Sequence, residues 1–194
     1  MTAFDEPSDG ETLRRLRNRL TSDAHAAGIL DVAYRTIDSP IGTLLLASTP
    51  IGLVQIAFEN EDSDAILTML SDRISPRVLE APARLDAAAA ELDEYFAGTR
   101  RRFDLPLDLQ LAGGFRRQVI EHLREIDYGK RESYGTVAAA IGNPRAVRAV
   151  GTACGHNPLP LVIPCHRVVR ADGAIGQYRG GVEAKTALLA LEAV

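Results

Sequence analysis

The chain is expected to be an α+β protein, with a small antiparallel-sheet domain over residues 31–108 and a mainly helical domain over residues 109–194. Three observations carry that expectation. Between Asp31 and Phe58, short apolar runs are separated by Pro/Gly turns, the pattern of an antiparallel meander. Beyond Phe115 the apolar spacing changes to the 3.6-residue period of a helix. Near Asn143 two short helical segments meet across a very short break, which makes them a helix-turn-helix candidate.

Residues 1–30 read as a charged helical extension, in which Leu13, Leu16 and Leu20 recur at intervals of three and four and form one narrow stripe. Packing of this helix on the next domain is expected, with nucleic-acid contact by its arginines as the alternative. The strands are Val32–Ile37, Thr43–Ser48 and Leu53–Phe58, joined by turns at Ser39–Gly42 and Thr49–Gly52. A helix over Ser63–Ile74 takes Ser63 as its cap. After the loop at Pro76, the alanine-rich run Leu85–Phe96 is helical and stops near Gly98; Phe103–Leu107 is a last strand leading to the domain boundary.

In the second half Phe115, Val119, Ile120 and Leu123 share one helical face. Ser133 caps a short helix through Ala140, which Gly142 ends. Asn143 caps the next helix and Pro144 takes its first turn, where a missing N–H costs nothing. Along that helix, Arg145, Arg148 and Thr152 form a stripe, while Ala146, Ala149, Gly151 and Ala153 keep the remaining surface small. A major-groove reader carries several long polar side chains for base edges. This helix suits shape and backbone contacts better, in the minor groove.

Composition excludes several classes. Hydrophobic content of 46% and charged content of 25% are those of an ordinary soluble globular protein. No apolar run approaches a membrane span, and the acidic first ten residues do not resemble a secretory signal. Two cysteines, Cys154 and Cys165, are too few for a disulfide scaffold and fit a reduced cytoplasmic setting. With only four scattered histidines beside them, no metal site is expected. The net charge of −4 conceals an asymmetry: residues 1–105 carry 11 Lys/Arg against 18 Asp/Glu, and residues 106–194 carry 11 against 8. Any contact with phosphates therefore belongs to the C-terminal half.

The densest chemical signal is Pro164-Cys165-His166-Arg167-Val168-Val169, entered from the apolar run Leu159–Ile163. Cysteine attacks as its thiolate, and an adjacent base or positive charge raises the thiolate fraction. Adjacency alone leaves two readings open, an activated nucleophile or a buried structural cysteine beside an incidental histidine.

The flanking residues decide between them by resemblance. Asn143-Pro144-Arg145-Ala146-Val147-Arg148-Ala149-Val150-Gly151, then Gly155-His156-Asn157-Pro158, then Ile163-Pro164-Cys165-His166-Arg167-Val168-Val169 resemble the O6-alkylguanine-DNA alkyltransferases. The likeness is dense from Phe115 to Glu192 and looser through Ser39–Gly42 and Tyr95–Gly98; residues 1–30 lie outside it. It implies a ribonuclease H-like first domain and a winged helix-turn-helix second domain. It also implies transfer of an alkyl group from O6 of a flipped-out guanine to Cys165, without a cofactor and once per molecule. Flipping is physically required, because the atom is unreachable inside the stack. The partner implied is double-stranded DNA, met by a monomer through the minor groove, with no membrane involved.

The resemblance also assigns roles. His166 takes the thiol proton through a water and Glu192 orients and charge-stabilises it, the third-group role found with activated nucleophiles. Asn157 holds the turn before the nucleophile. Tyr134 helps rotate the nucleotide and donates its hydroxyl to the base, and Arg148 fills the stack, with Arg145 and Ala149 on the same DNA-facing surface. Tyr178 and Arg179 belong to the pocket wall, and the carbonyls of Cys165 and Val168 read the guanine amine. O4-alkylthymine is a further possible substrate.

Two departures stand out. Arg179 replaces a residue that is often small in the family, which points to a narrower or more basic pocket mouth. Glu121 stands where some relatives carry tryptophan, and this chain has none. Three competing readings are a sensor of alkylated bases, a methylation-reporting regulator and a thiol hydrolase. Sensors of this kind lack the cysteine, regulators usually carry an additional activator domain, and no oxyanion site is visible for a hydrolase.

Overall fold

The computed structural model describes residues 9–193. Strands β1 (Val32–Ile37), β2 (Leu44–Ser48) and β3 (Leu53–Phe58) form the expected antiparallel meander, with Tyr34 opposite Ala47 and Leu46 opposite Ile56. A fourth strand, β4 (Val78–Glu80), pairs in parallel with β1 and completes the order β3-β2-β1-β4. Three residues are too few to show a period of two, so β4 had no signature in the sequence. The strand expected at Phe103–Leu107 does not form. Only Leu107 bridges to Leu53, and the segment runs along β3 as a cover, with Leu53 N–H donating to Pro106 O and Asp108 N–H to Leu53 O. Covering this edge satisfies backbone groups that would otherwise pair with another chain.

Alternation along β2 divides the interior. Leu45 and Ala47 join Val32, Val54 and Ala57 against Ile66 and Leu70 of α2 (Ser63–Arg73). Leu44 and Leu46 face the other way, with Leu53, Ile56 and Phe58, against Leu92 and Tyr95 of α3 (Asp86–Phe96). That second cluster continues without interruption into the C-terminal half, through Val119, Ile120 and Leu123, then Val137, Val150, Leu159, Cys165 and Leu188. The two halves therefore share one core.

Among the described residues, the first helix, α1 (Asp9–Ala26), attaches by its last turns. Ala24 packs with Leu30, Ala33 and Ala81, and Thr21 Oγ1 donates to Glu80 O. Leu13, Leu16 and Leu20 are each more than half exposed, so the stripe expected to pack on the next domain does not do so. The cap of α2 is Asp62, whose Oδ1 accepts from the N–H groups of Asp64 and Ala65. Ser63, expected in that place, is the first helical residue; a carboxylate at the cap also complements the helix dipole.

The C-terminal half contains α4 (Gly114–Leu123), β5 (Glu132–Ser133), α5 (Tyr134–Ala140), α6 (Val147–Gly155), β6 (Val168–Val169) and α7 (Gly181–Leu191). Ser133 caps α5 as expected, its side chain accepting from Thr136 N–H. Asn143 does not cap α6. Its side chain donates back to Ile141 O, residues 143–146 form a turn, and the helix starts at Val147 with no side-chain cap. Arg145 and Pro144 thus precede the helix. Strands β5 and β6 pair in parallel and join the helix-turn-helix to the Cys-His segment.

Candidate active site

A short 3-10 turn, Cys165–Arg167, carries the thiol between Pro164 and β6. The loop before it is held by Asn157, which is buried; its Nδ2 donates to Ile163 O at 2.8 Å and its Oδ1 accepts from Leu159 N–H at 3.0 Å. Between these anchors Leu161 takes a positive φ of 74°, a strained conformation for a leucine. The loop is pinned outside as well, because Ile56 of β3 donates its N–H to Pro158 O. The loop before Cys165 is therefore positioned by β3 and by Asn157 together.

Cys165 is 3% exposed, His166 0% and Glu192 2%. Burial raises the Cys165 thiol above its ordinary value, while Asn157, Lys185 and Arg179 pull in the opposite direction without reversing it. Burial likewise lowers the His166 imidazole, against the favourable effect of Glu192. For Glu192, burial opposes ionisation, but hydrogen bonds from His166 and Arg167 outweigh it and hold the carboxyl far below the usual carboxylate range. The resting site is thus a protonated thiol, a neutral imidazole and a carboxylate.

The hydrogen bonds fix the tautomer. His166 Nε2 lies 2.9 Å from Glu192 Oε1. A carboxylate only accepts, so Nε2 bears the proton. Nδ1 keeps its lone pair and is buried without a protein partner. Glu192 follows α7 as its C-cap residue and is fully enclosed rather than exposed at a frayed end.

Four residues that the sequence did not single out complete this charge network. Tyr95 of α3 donates its hydroxyl to Glu192 Oε1 at 2.7 Å, and Arg167 reaches both carboxylate oxygens, Nε to Oε2 at 2.8 Å and Nη2 to Oε1 at 2.9 Å. Gly129, at φ +73°, offers its N–H to Oε2 at 3.3 Å, and a Cβ there would lie 2.9 Å from Glu192 O. Lys185 of α7 is buried and donates Nζ to Val168 O at 2.6 Å. Of these, Arg167 carried a sequence signal in its place beside Cys165-His166, and Tyr95 in the looser likeness at Tyr95–Gly98, but neither was given a role. The Val168 carbonyl therefore already accepts one bond, as does the Cys165 carbonyl from Val168 N–H; each retains a second lone pair.

Outside the thiol lies an open groove of about 410 Å³, lined by Tyr134, Gly151, Gly155, Arg170 and residues 176–179. Tyr134 starts α5 and packs between neighbours that leave it room: a Cβ on Gly176 would come within 2.7 Å of its hydroxyl. Burial raises its phenol, with Cys154 and Cys165 adding to the shift, so the hydroxyl is a donor near neutral pH. The Tyr178 hydroxyl is buried beside the Cys165 thiol, and burial followed by that neighbour pushes it well up. Arg148 and Ala149 are exposed on α6, while Val150, Ala153 and Cys154 turn inward. Arg145 is exposed in the turn before that helix, off the helical stripe predicted for it. Arg179 is not free to make the mouth basic, because its Nε pairs with Glu61 at 2.5 Å.

The arrangement gathers Cys165, His166, Glu192 and Asn157 in one buried unit, with Tyr134, Tyr178 and Arg179 bordering the groove above it. Comparison with known proteins matches the chain over both halves. Residues 32–109 fit the ribonuclease-like domain of 6-O-methylguanine DNA methyltransferase, and residues 114–194 fit its DNA binding domain. The chain is 42% identical over 161 residues to the methylated-DNA–protein-cysteine methyltransferase of Mycolicibacterium paratuberculosis, covering 83% of this chain and 92% of that protein. It is 40% identical over 172 residues to the bifunctional transcriptional activator/DNA repair enzyme Ada of Escherichia coli, covering 87% of this chain but 48% of Ada. Among solved structures, Mycobacterium tuberculosis OGT in complex with DNA superposes with a TM-score of 0.74 at 41% identity, over 83% of this chain and 92% of that one. With both family domains matched in order along the chain, and the buried thiol unit standing in the second of them, this protein belongs to the 6-O-methylguanine DNA methyltransferase family.

Proposed function

We propose that this protein repairs O6-alkylguanine in double-stranded DNA by transferring the alkyl group to its own Cys165, in one irreversible turnover. It is then a methylated-DNA–[protein]-cysteine S-methyltransferase that is consumed by its reaction. The observation that carries this reading is the buried Cys165–His166–Glu192 unit beneath a groove bordered by Tyr134 and Tyr178. The relatives' names point the same way.

In this mechanism α6 meets the minor groove, Arg148 enters the stack, and Arg145 and Ala149 lie against the backbone. The displaced guanine occupies the groove, with the Val168 and Cys165 carbonyls offering their remaining lone pairs to its amine. His166 Nδ1 takes the thiol proton through a bridging water, and Glu192 stabilises the imidazolium that forms. The Cys165 sulfur attacks the alkyl carbon, the carbon–O6 bond breaks, and its electron pair remains on guanine, where the Tyr134 hydroxyl offsets the charge. The product is a thioether, which this site has no group to cleave. No cofactor enters any step.

The same reading divides the chain into an extension at 1–30, a sheet domain at 31–108 and a DNA-binding, alkyl-transfer domain at 109–194. It has the protein acting as a monomer in the cytoplasm. No helix of the described residues is long and apolar enough to cross a membrane.

Intact-mass measurement tests the central claim. After incubation with an oligonucleotide containing O6-methylguanine, wild type should gain a single methyl and the DNA should regain guanine. Cys165→Ala should gain nothing. Binding without a change in mass would instead make the protein a sensor of alkylated bases.

A further inference from the structure

We propose that Glu61, on the sheet domain, is a positioning residue that sets the tolerated alkyl size by tethering the pocket wall at Arg179. If, as proposed above, Cys165 takes the alkyl group, residues 178–180 form the side of the pocket that must yield to a bulky substituent. Three consecutive wall residues are gripped by the last residue of β3 and the turn that follows it. The Tyr178 ring meets Phe58 edge-on at 5.3 Å between centroids. Arg179 is held twice, by Nε to Glu61 Oε1 at 2.5 Å and by its carbonyl, which accepts from Asn60 Nδ2 at 3.0 Å. Gly180 lies so close to Phe58 that a Cβ would stand 2.7 Å from the ring.

Glu61 is itself prearranged for this contact. Its other oxygen, Oε2, accepts from Phe58 N–H at 2.9 Å, and its own N–H donates to Phe58 O. The carboxylate is thus fixed to the strand end before it meets the guanidinium. The Glu61 and Arg179 side chains are only 13% and 27% exposed, so the pair is less screened than a surface ion pair. With Arg179 drawn toward the sheet, Tyr178 stays against Phe58 and next to the thiol. Releasing the guanidinium removes one of these holds and lets the short loop, flanked by Gly176, Gly180 and Gly181, yield outward more readily. The space gained serves a benzyl group and is unnecessary for a methyl group.

The test is single-turnover transfer from two oligonucleotides of the same sequence, one bearing O6-methylguanine and one O6-benzylguanine. Taking the ratio of the two rates on one preparation cancels DNA binding and any loss of folded protein. Glu61→Gln keeps the shape of the side chain and removes its charge; it should raise the benzyl-to-methyl ratio by about threefold to tenfold. Arg179→Gln should raise it similarly, and the double variant no further than the larger single effect, since both break one contact. Asn60→Ala, at an exposed position, should shift the ratio the same way by less. Limited trypsin should cut after Arg179 faster in Glu61→Gln than in wild type. An unchanged ratio in Glu61→Gln, or single effects that multiply in the double variant, overturns the tether. Wild type that transfers methyl to Cys165 while the ratio stays fixed overturns the tether alone, and wild type that transfers no methyl overturns the alkyl-transfer reading with it.

Discussion

Glu192 accepts hydrogen bonds from Tyr95, His166 and Arg167 at once, inside a region with almost no solvent. Its carboxylate neutralises Arg167 while leaving His166 neutral, and that balance has a pH signature. His166 is held below its ordinary value in the folded state by burial. The unfolded imidazole therefore binds a proton at about pH 6.5 where the folded one does not, and stability falls as pH drops through that value. Glu192 is depressed, so its contribution is complete above the ordinary carboxylate range and is lost only as pH falls toward its lower folded value. Thermal melts of wild type and His166→Asn should therefore converge on acidification. The stability advantage of wild type is expected to shrink between roughly pH 7.5 and 5.5. A constant gap would mean that the folded imidazole titrates as the unfolded one does, and a widening gap that it is held protonated.

At the scale of elements, the proposed function gives α5 and α6 different shares of the contact with DNA, a wedge and a platform. Tyr134 is placed at the first turn of α5 because Ser133 closes that end by capping Thr136 N–H. The platform is α6, whose outward residues are small apart from Arg148 and Val147. If Arg148 fills the gap left by the guanine, its removal affects only substrates that must be flipped. Arg148→Ala should slow repair of O6-methylguanine in duplex DNA by roughly tenfold or more, with little effect on transfer from free O6-benzylguanine. Equal losses on both substrates would remove Arg148 from base flipping. The exposed leucines of α1 have no comparable account: among the described residues nothing covers Leu13, Leu16 or Leu20.

The whole molecule is united by its core and by its relay. Leu44, Leu92 and Tyr95 from the first half and Val119, Val150 and Leu188 from the second lie in one cluster. Tyr95 also crosses between the halves to reach Glu192. The full chain is therefore expected to unfold in one transition followed by circular dichroism. A fragment of residues 109–194 should fail to give a cooperative melt, because folding it alone would expose that shared apolar surface. Two separate transitions, or a fragment that melts cooperatively, would show that the halves are independent.

Much of this protein is written locally, and the local parts were legible in its sequence. The meander from Val32 to Phe58, the Ser133 cap and the inward face of α4 follow from turn residues and apolar periods that act over a few neighbours. The nucleophile and its histidine are adjacent in the chain, and Asn157 lies one loop away. Other features were missed or misplaced because their cause is not local. Asn143 has the chemistry of a cap, but the turn through Ala146 claims it first, and Asp62 takes the place predicted for Ser63. Strand β4 exists only because β1 offers it an edge. Tyr95 stands 97 residues from Glu192, and Glu61 stands 118 from Arg179. Sequence spacing carries no trace of such pairs. What the chain order specified was the chemistry available at Cys165 and His166; the packing of the sheet domain against the helical one decided their charge states and the reach of the pocket wall. Burial and long-range hydrogen bonds set those energies, and both arise only when distant segments meet.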